Sequence, residues 1–209
     1  MAELKDSGAR REFESGAVRD IQEGKGRCDL IPLDVVASLM DDRLMSEAMY
    51  SISEYVITGK DHYLFAAIRS FCESVGWTIP DAILEVSKQY EDGAVKYGER
   101  NWEKGIPLHC YIDSGVRHLL KVYRGDDDEP HKRAFVWNML GAVWTQKWRQ
   151  DLCDLPGFKT KSKEELDRVT RRVNEIEQIK DNDHDRELTS TSNRYQDTDS
   201  VITVYNHTT

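Results

Sequence analysis

The segment PDAILEVSKQYEDGAVKY, residues 80–97, indicates a chain built from amphipathic helices. Pro80 suits the first turn of a helix, and Gly98, directly after the segment, suits a helix end. The apolar residues between them recur at three- and four-residue steps, the spacing of one helix face: Ile83, Val86, Tyr90, Ala94 and Tyr97. We therefore predict a helix over 80–97 that turns this stripe toward a core.

Helical spacing continues on both sides of that segment. Two further helices are predicted over 107–123 and 130–148, and each is opened by a proline. Toward the N-terminus, apolar residues also recur at helical steps from Val36 to Val56, where Thr58-Gly59 breaks the pattern, and a short helix is predicted over 61–71. Because β-strand patterns are weak throughout, the predicted fold class is all-α, a bundle of helices.

Composition divides the chain into four parts: a basic, glycine-rich extended arm at 1–29, a helical catalytic domain at 30–158, an accessory helix within 159–182, and a polar tail at 183–209. The accessory helix, over 162–180, has a narrow apolar stripe, so we expect it to pack on the domain or on a partner. The tail has too little apolar content to offset its ordering entropy, and we expect it to be disordered.

Charge and cysteine content exclude several classes of protein. The 209 residues carry a net charge of -9 at pH 7, so we expect no nucleic acid polymer as a partner. No apolar run approaches the roughly 18 residues that span a bilayer, and we expect no membrane partner. The four cysteines are widely spaced, which fits reduced thiols and a cytoplasmic location. An anionic ligand would need a local basic cluster or a bound cation.

Glu91 lies on the 80–97 helix between Leu84 and Val95, on a second and partly apolar stripe. We predict that a carboxylate in this position is half-buried in the bundle, where it can bind a metal or act in catalysis. The alternative is an ordinary exposed acid beside Lys88 or Lys96, since most helical carboxylates are solvated.

Asp113 and Arg117 are one helical turn apart on the 107–123 helix. If they are half-buried, they can serve as a metal ligand and a phosphate clamp. If they are exposed, they form an ordinary surface ion pair that contributes only about 0.3–0.5 kcal/mol.

On the 130–148 helix, two polar residues share a face with small side chains, which leaves room for a ligand. This face consists of His131, Ala134, Asn138, Ala142 and Thr145. The alternative is that both polar groups are satisfied within the core, or that the small residues permit close helix packing.

Acidic and basic clusters supply further candidates. The loop 126–129 reads DDDE, and clustered carboxylate oxygens suit Mg²⁺ or Mn²⁺, although acids before a helix are also favoured by its dipole. In the arm, Arg19, Lys25 and Arg27 stand among glycines and can bind phosphate groups, although a flexible basic arm is the simpler interpretation. The GxxxxGK[ST], GxSxG and HExxH patterns are absent.

Three blocks of sequence together resemble a phage-associated family of dATP/dGTP diphosphohydrolases, which are related to the MazG-like pyrophosphohydrolases. The blocks are GAVRDIQEGKGRCDLIPL (16–33), YEDGAVKYGERNWEKGIPL (90–108) and DSGVRHLLKVYRGDDDEPHKRAFVWNML (113–140). They cover about half of the chain. Two features depart from the pattern: the MazG signature EExxE followed by ExxD is absent, and residues 41–79 resemble an insertion.

The resemblance implies a MazG-like helical bundle, usually a homo-oligomer, that acts in the host cytoplasm if a phage encodes it. It implies an enzyme that uses Mg²⁺ or Mn²⁺ to split a nucleoside triphosphate, here a purine dNTP, into monophosphate and pyrophosphate. The motif positions in this sequence are Glu91, Lys96, Tyr97, Asn101, Trp102, Asp113, Arg117, His118, His131 and Asn138.

Roles are assigned to these positions as hypotheses. The predicted catalytic residues are Glu91, Asp113 and His131, and the predicted metal ligands are Glu91, Asp113, Asp126 and Asp128. The predicted substrate-binding residues are Arg19, Lys25, Arg27, Lys96, Tyr97, Asn101, Trp102, Arg117, His118 and Asn138. Among them the cations would bind phosphates, Trp102 would stack on the base, and Asn101 or Asn138 would read a base edge or orient a ligand.

Two other functions stay open at this point. The missing EExxE signature is compatible with a catalytically silent protein that sequesters a nucleotide on the same helical fold. A helical scaffold protein would explain the 162–180 helix, but it leaves the residues gathered between 91 and 138 without a reason.

Overall fold

The computed structural model describes residues 10–159, and most of them are helical. The principal elements are β1 (Arg10–Glu12), β2 (Val18–Asp20), α1 (Leu33–Ser38), α2 (Arg43–Thr58), α3 (His62–Ser74), α4 (Ile79–Tyr97), α5 (Leu108–Arg124) and α6 (His131–Trp148). The predicted all-α class is confirmed. The accessory helix predicted over 162–180 and the tail at 183–209 lie outside the described residues. None of the helices between residues 10 and 159 has the length and apolar content needed to span a membrane.

Helix boundaries follow the signals in the sequence. Gly59 ends α2 in the left-handed conformation with a φ of 69°, which glycine adopts without strain. Thr78 and Asp81 form a capping box at the start of α4. Pro107 and Pro130 directly precede α5 and α6. The three helices predicted around the motif blocks are therefore confirmed, with ends that shift by about one residue.

Close contact between α5 and α6 forms the centre of the helical core. A Cβ atom at Gly115 of α5 would lie 2.2 Å from Cε of Met139, and one at Gly141 of α6 would lie 2.3 Å from the ring of Tyr111. Met139 and Tyr111 are both fully buried. The terminal methyl of Met139 can move aside, but the rigid ring of Tyr111 cannot, so the absence of a side chain at Gly141 is what permits the close approach that brings the polar residues of the two helices next to each other.

The segment predicted as an insertion, 41–79, contains α2 and α3 and contributes to the same core. Ile52 and Tyr55 of α2 and Phe71 of α3 are fully buried. The ring of Phe71 lies 4.2 Å from the ring of Phe135 of α6, measured between centroids. These helices are thus an integral layer of the domain, and their status as an insertion relative to the family stays a prediction.

The arm forms a β-hairpin that the sequence did not indicate. β1 and β2 pair in antiparallel fashion, with Arg11 opposite Arg19. Between the strands, Phe13 and Ala17 are buried as part of the main core. The sequence predicted an extended arm but not this hairpin, because two separate apolar contacts dock it and two contacts are too few to produce a periodic pattern.

Helix α4 leaves much of its apolar surface exposed. The exposed fractions are 58% for Ile83, 66% for Leu84 and 88% for Val95. The buried residues of this helix are Ala82 and Val86. Two predictions are therefore wrong for the single chain, namely that Ile83 faces the core and that the stripe from Leu84 to Val95 is half-buried. The physical reason is that α4 lies against the bundle mainly along α6.

His109 of α5 forms an ion pair with Asp154, in the segment after α6. This pair predicts that the stability of the fold depends on pH. The hydrogen bond with the Asp154 carboxylate, helped by Cys110, raises the pKa of His109 to about 10. Protonated His109 therefore stabilises the fold fully below its unfolded pKa of about 6.5, and this contribution is lost as the pH rises toward about 10. We expect the difference in free energy of unfolding between wild type and His109→Gln to be largest near pH 6 and largely lost by about pH 10.

Chemical denaturation at several pH values measures this difference. The exposed His62 provides a matched control, and His62→Gln should show no comparable decline relative to wild type. A difference for His109→Gln that stays constant over this pH range would contradict the assignment.

Candidate active site

A large cavity lies between the arm hairpin and helices α4, α5 and α6. Its volume is about 970 Å³, near the upper end of the usual range for small-molecule sites. Its aromatic lining residues include Tyr90, Tyr97, Trp102 and Trp137, and its basic lining residues are Arg11, Arg19, Lys25, Arg100, Arg117 and Lys121. The cavity therefore places apolar ring surface and positive charge within one space.

Basic residues outnumber acidic ones along this cavity, although the chain as a whole is acidic. Six lining residues are Lys or Arg and four are Asp or Glu, namely Asp20, Glu99, Asp113 and Glu129. The net charge of the chain is -9. The cavity thus contains the local basic cluster that an acidic protein needs in order to attract an anionic ligand.

The aromatic wall is held by edge-to-face contacts. The ring centroid of Trp102 lies 5.5 Å from that of Tyr90 and 4.9 Å from that of Trp144. Tyr90 in turn lies 6.1 Å from Trp137. Burial raises the pKa of Tyr90 to about 12, so its hydroxyl stays protonated at neutral pH. A cluster of this kind presents fixed ring surfaces against which a planar ligand can pack.

The cavity brings together many, but not all, of the residues predicted from the sequence. Nine of them line it: Arg19, Lys25, Tyr97, Asn101, Trp102, Asp113, Arg117, His118 and Asn138. Six do not: Arg27, Glu91, Lys96, Asp126, Asp128 and His131. The contacts of these residues show which predicted roles the geometry permits.

Glu91 is exposed and lies outside the cavity, so the prediction that it is half-buried is wrong. The side of α4 that lines the cavity carries Tyr90 and Gly93 instead. The next acid, Asp92, pairs with Arg133 at 2.5 Å. The position of Glu91 in the single chain therefore gives no support to its predicted roles as a catalytic group and a metal ligand.

Asp113 is only 1% exposed, and both of its carboxylate oxygens are engaged. Oδ1 accepts a hydrogen bond of 2.6 Å from the backbone N–H of Cys28, and Oδ2 accepts one of 2.6 Å from Nε2 of Gln22. Arg117 also donates to Oδ2. Because two of these donors belong to the arm, Asp113 anchors the arm to α5, and this contact set disagrees with its predicted role as an open metal ligand.

Arg19 extends from β2 to α6 across the cavity floor. Its Nη2 donates to Oδ1 of Asn138 at 2.6 Å, and its Nη1 donates to the carbonyl oxygen of Cys110 at 3.1 Å. The Asn138 amide also donates to the carbonyl oxygen of Ala134 at 2.7 Å. Asn138 is therefore satisfied within the protein, and it positions Arg19 rather than offering a free amide to a base edge.

Three other predicted residues position strand β2. The Asn101 side chain accepts from the backbone N–H of Val18 at 3.0 Å and donates to the Val18 carbonyl oxygen at 2.9 Å, as a neighbouring strand would. Lys96 and Tyr97 each donate to Asp20 at 2.7 Å. The predicted base-reading role of Asn101 and the predicted phosphate role of Lys96 therefore conflict with their contacts.

The remaining arm cations differ in position. Arg27 is exposed, lies outside the cavity and pairs with Asp29 through contacts of 2.7 and 2.5 Å, so its predicted phosphate role is not supported. Arg117 lines the cavity and donates to the backbone carbonyl oxygens of Lys25 and Gly26 at 3.3 Å each. Arg117 thus supports the arm loop while its charge stays at the cavity edge.

Two overlapping groups of side chains at one end of the cavity have the composition of a metal site. Within residues 10–159, ligand atoms lie within 4.8 Å of one another in two sets: His118 with Glu129 and His131, and Asp126 with Asp128 and His131. The predicted ligands Asp126 and Asp128 thus lie together, whereas neither set contains Glu91 or Asp113. Nitrogen and carboxylate donors of this kind fit Mn²⁺, one of the two ions that the resemblance implies, better than Mg²⁺.

The imidazole of His118 is held in its neutral form. Burial lowers its pKa to about 3, and the nearby positive charges of Arg19 and Arg117 act in the same direction. Neutral imidazole has an available lone pair, which is the form that accepts hydrogen bonds and binds metals.

Sequence reasoning missed several lining residues. Gln89 lines the cavity, and its Oε1 is buried without a hydrogen-bond partner in the described part of the chain. Lys121 lines it one helical turn after Arg117, a spacing that signalled a shared face. Asp20 also lines it, and no local pattern distinguished it from an exposed acid, whereas Glu129 belongs to the acidic loop 126–129 that the sequence did indicate.

Comparison with protein families gives a match over the segment that contains the motif helices. Residues 65–154 match the family described as dATP/dGTP diphosphohydrolase, N-terminal. Comparison with curated proteins and with solved structures gives no significant match. The resemblance inferred from the motif blocks is thereby confirmed for the segment that contains α4, α5 and α6.

Proposed function

On the premise that residues 65–154 carry the dATP/dGTP diphosphohydrolase N-terminal domain, we propose that this chain hydrolyses purine deoxynucleoside triphosphates to the monophosphate and pyrophosphate. In this reaction a water oxygen bonds to the α-phosphorus, and the bond to the bridging oxygen of pyrophosphate breaks. The observation that supports the proposal best is the cavity of about 970 Å³ in which an aromatic wall faces a basic cluster.

The aromatic wall suits a purine base. Tyr90, Trp102 and Trp137 offer ring surface, and stacking of a base on an aromatic side chain contributes about 1–3 kcal/mol. Oε1 of Gln89 is buried and has no hydrogen-bond partner among the described residues, and rotation of this amide toward the cavity would let it accept a hydrogen bond from the base edge, such as the amino group of adenine or guanine. Gln89 takes over the edge-reading role first assigned to Asn101.

The basic cluster suits the triphosphate. Arg19 is fixed by the neutral side chain of Asn138, and Arg117 is fixed by the arm backbone and by its ion pair with Asp113, so the charge of Arg19 is the less compensated of the two. Lys121 and Lys25 line the same cavity. Charge-assisted hydrogen bonds from such groups bind phosphate oxygens strongly and stabilise the charge that develops during hydrolysis.

A divalent cation, Mg²⁺ or Mn²⁺, belongs to this proposal. The donors available to it form two overlapping sets: His118 with Glu129 and His131, and Asp126 with Asp128 and His131. When bound, such a cation neutralises phosphate charge and lowers the pKa of a bound water. Assembly into a homo-oligomer likewise stays a prediction.

Pyrophosphate release tests the proposed reaction. We expect turnover with dATP or dGTP in the presence of Mg²⁺ or Mn²⁺, and slower turnover with dCTP and TTP. Equilibrium binding of the same nucleotides, measured in parallel, separates hydrolysis from sequestration. Binding without release of pyrophosphate under any of these metal conditions would exclude the enzyme.

A nucleotide-sequestering protein is the second candidate. The observation that favours it is the exposed position of Glu91, since the carboxylate predicted as catalytic does not reach the cavity. Such a protein would use the same aromatic wall and basic cluster, and only the turnover measurement distinguishes it.

Trp102→Leu is expected to raise the KM, or the Kd in a binding assay, by about 10-fold, because one stacking contact is lost. Trp148→Leu is the matched control, since Trp148 belongs to the end of α6, is 68% exposed and does not line the cavity. If the two variants bind nucleotide equally well, the aromatic wall is not the base site.

A further inference from the structure

Two histidines from different helices face each other at one end of the cavity. Nδ1 of His118 in α5 lies 2.9 Å from Nδ1 of His131 at the start of α6. The carboxylate of Glu129, in the loop before α6, completes a set whose ligand atoms all lie within 4.8 Å of one another. His118 and Glu129 line the cavity, so the set is open to it.

Asp128 fixes the tautomer of His131. Nε2 of His131 lies 2.7 Å from Oδ1 of Asp128, and because a carboxylate only accepts, Nε2 carries the proton. In the neutral form of His131, Nδ1 is then the unprotonated nitrogen, and it faces Nδ1 of His118. A carboxylate behind the far nitrogen of a histidine is the usual arrangement around metal-binding imidazoles, because it orients the ring and raises its basicity.

The spacing of the two nitrogens suits a single ion. Two imidazole nitrogens that bind one ion at about 2.0–2.1 Å lie about 2.9 Å apart at right angles and about 3.3–3.4 Å apart at the tetrahedral angle, so the observed 2.9 Å requires at most a small separation of the rings. The side chain of His131 is 1% exposed, so its position is fixed by packing. The Glu129 carboxylate makes no ion pair or hydrogen bond with the residues that the structure describes, which leaves its oxygens available.

We infer that His118, His131 and Glu129 bind a divalent transition-metal ion, with Asp128 orienting His131 from behind. Two nitrogen donors and one carboxylate suit ions such as Mn²⁺, Co²⁺ or Zn²⁺, whereas Mg²⁺ prefers oxygen donors and retains several waters. The inference deepens the proposed function, because the ion would lie at the cavity that is proposed to bind the triphosphate. Metal binding by the chain alone does not depend on that function.

The competing set of Asp126, Asp128 and His131 is less suitable. Both carboxylate oxygens of Asp126 are engaged by Arg124, at 2.7 Å from Nε and by a second contact from Nη2. Asp128 would have to give up its bond to His131 in order to become a ligand itself. An ion at this set would therefore displace two existing interactions, whereas the set with Glu129 displaces only a contact between the two imidazoles.

Metal binding by the full chain, freed of metal and without nucleotide, tests this inference. We expect one equivalent of Mn²⁺, Co²⁺ or Zn²⁺ to bind at least about 10-fold more tightly than Mg²⁺ in calorimetry. Pulsed EPR of the Mn²⁺ form should show coupling to imidazole nitrogen. Glu129→Gln should lower the metal affinity by at least about 10-fold. Losses of this size are common even for residues that only hydrogen-bond to a metal ligand.

Asp127→Asn is the matched control, because Asp127 is an exposed acid of the same loop and belongs to neither ligand set. It should leave metal affinity unchanged, and His118→Gln should lower it as Glu129→Gln does. Three results would overturn the inference: no preference over Mg²⁺, equal losses in Glu129→Gln and Asp127→Asn, or a loss in Asp126→Asn without one in Glu129→Gln. If metal binds as expected and no pyrophosphate is released, the proposed function fails while the metal site stands.

Discussion

Replacing Asn138 with leucine is expected to lower the free energy of unfolding by about 2–3 kcal/mol and to reduce nucleotide binding sharply. The Asn138 amide accepts a 2.6 Å hydrogen bond from Arg19 and donates one of 2.7 Å to Ala134. Leucine offers neither group, so the guanidinium loses its acceptor next to buried helix surface. Urea denaturation and nucleotide binding measured on the same variant check both effects.

A double-mutant cycle isolates the contact. Arg19→Met alone should also destabilise the protein, and the double variant should be more stable than the sum of the single losses implies, because the two changes remove the same interaction. If Asn138 were instead a polar group kept only for a ligand, Asn138→Leu would leave stability unchanged or raise it. Additive losses in the cycle would show that the two side chains act independently.

Asp113→Ala is expected to lower the free energy of unfolding by about 3–5 kcal/mol, which is the usual effect of removing one partner of a buried ion pair. Three donors would lose their acceptor: the backbone N–H of Cys28, the amide of Gln22 and the guanidinium of Arg117. We also expect faster proteolysis of the arm in the variant, since two of these donors hold it against α5.

Asp127→Ala serves as the control for Asp113→Ala, because it removes an equally charged carboxylate from an exposed position in the loop before α6. Its free energy of unfolding should stay within about 0.5 kcal/mol of wild type. An Asp113→Ala protein with wild-type stability and an arm that is cut no faster would show that Asp113 does not anchor the arm.

The helices could be predicted because their signals are local. Pro107 and Pro130 precede α5 and α6, and the glycines after α2 and α4 terminate them, so the boundaries required no tertiary information. The face that a helix buries is not local in the same way. Ile83 and Val86 belong to one periodic stripe, yet only Val86 is buried, because α4 lies along one edge of the bundle.

The candidate site was predictable in its residues but less so in their roles. Periodicity and the motif blocks located Asn138, Asp113 and Asn101 on the cavity. Their partners are distant in sequence: Arg19 is 119 residues from Asn138, and Gln22 is 91 residues from Asp113. A local sequence pattern cannot indicate contacts between such distant residues. The sequence analysis therefore assigned ligand contacts to residues that, in the structure, position the arm.

The arm forms one wall of the cavity, so the cavity can form only after the arm has docked on α5 and α6. The arm is synthesised first, but the residues that dock it, Asp113 on α5 and Asn138 on α6, follow about 90–120 residues later. Closing loops of that length costs entropy before any contact compensates for it, so long-range contacts of this kind form after local helices. In a nascent chain that does not yet contain α6, Arg19 of the arm therefore lacks its hydrogen-bond acceptor Asn138. The cavity is completed only when α6 has packed against α5 and the arm.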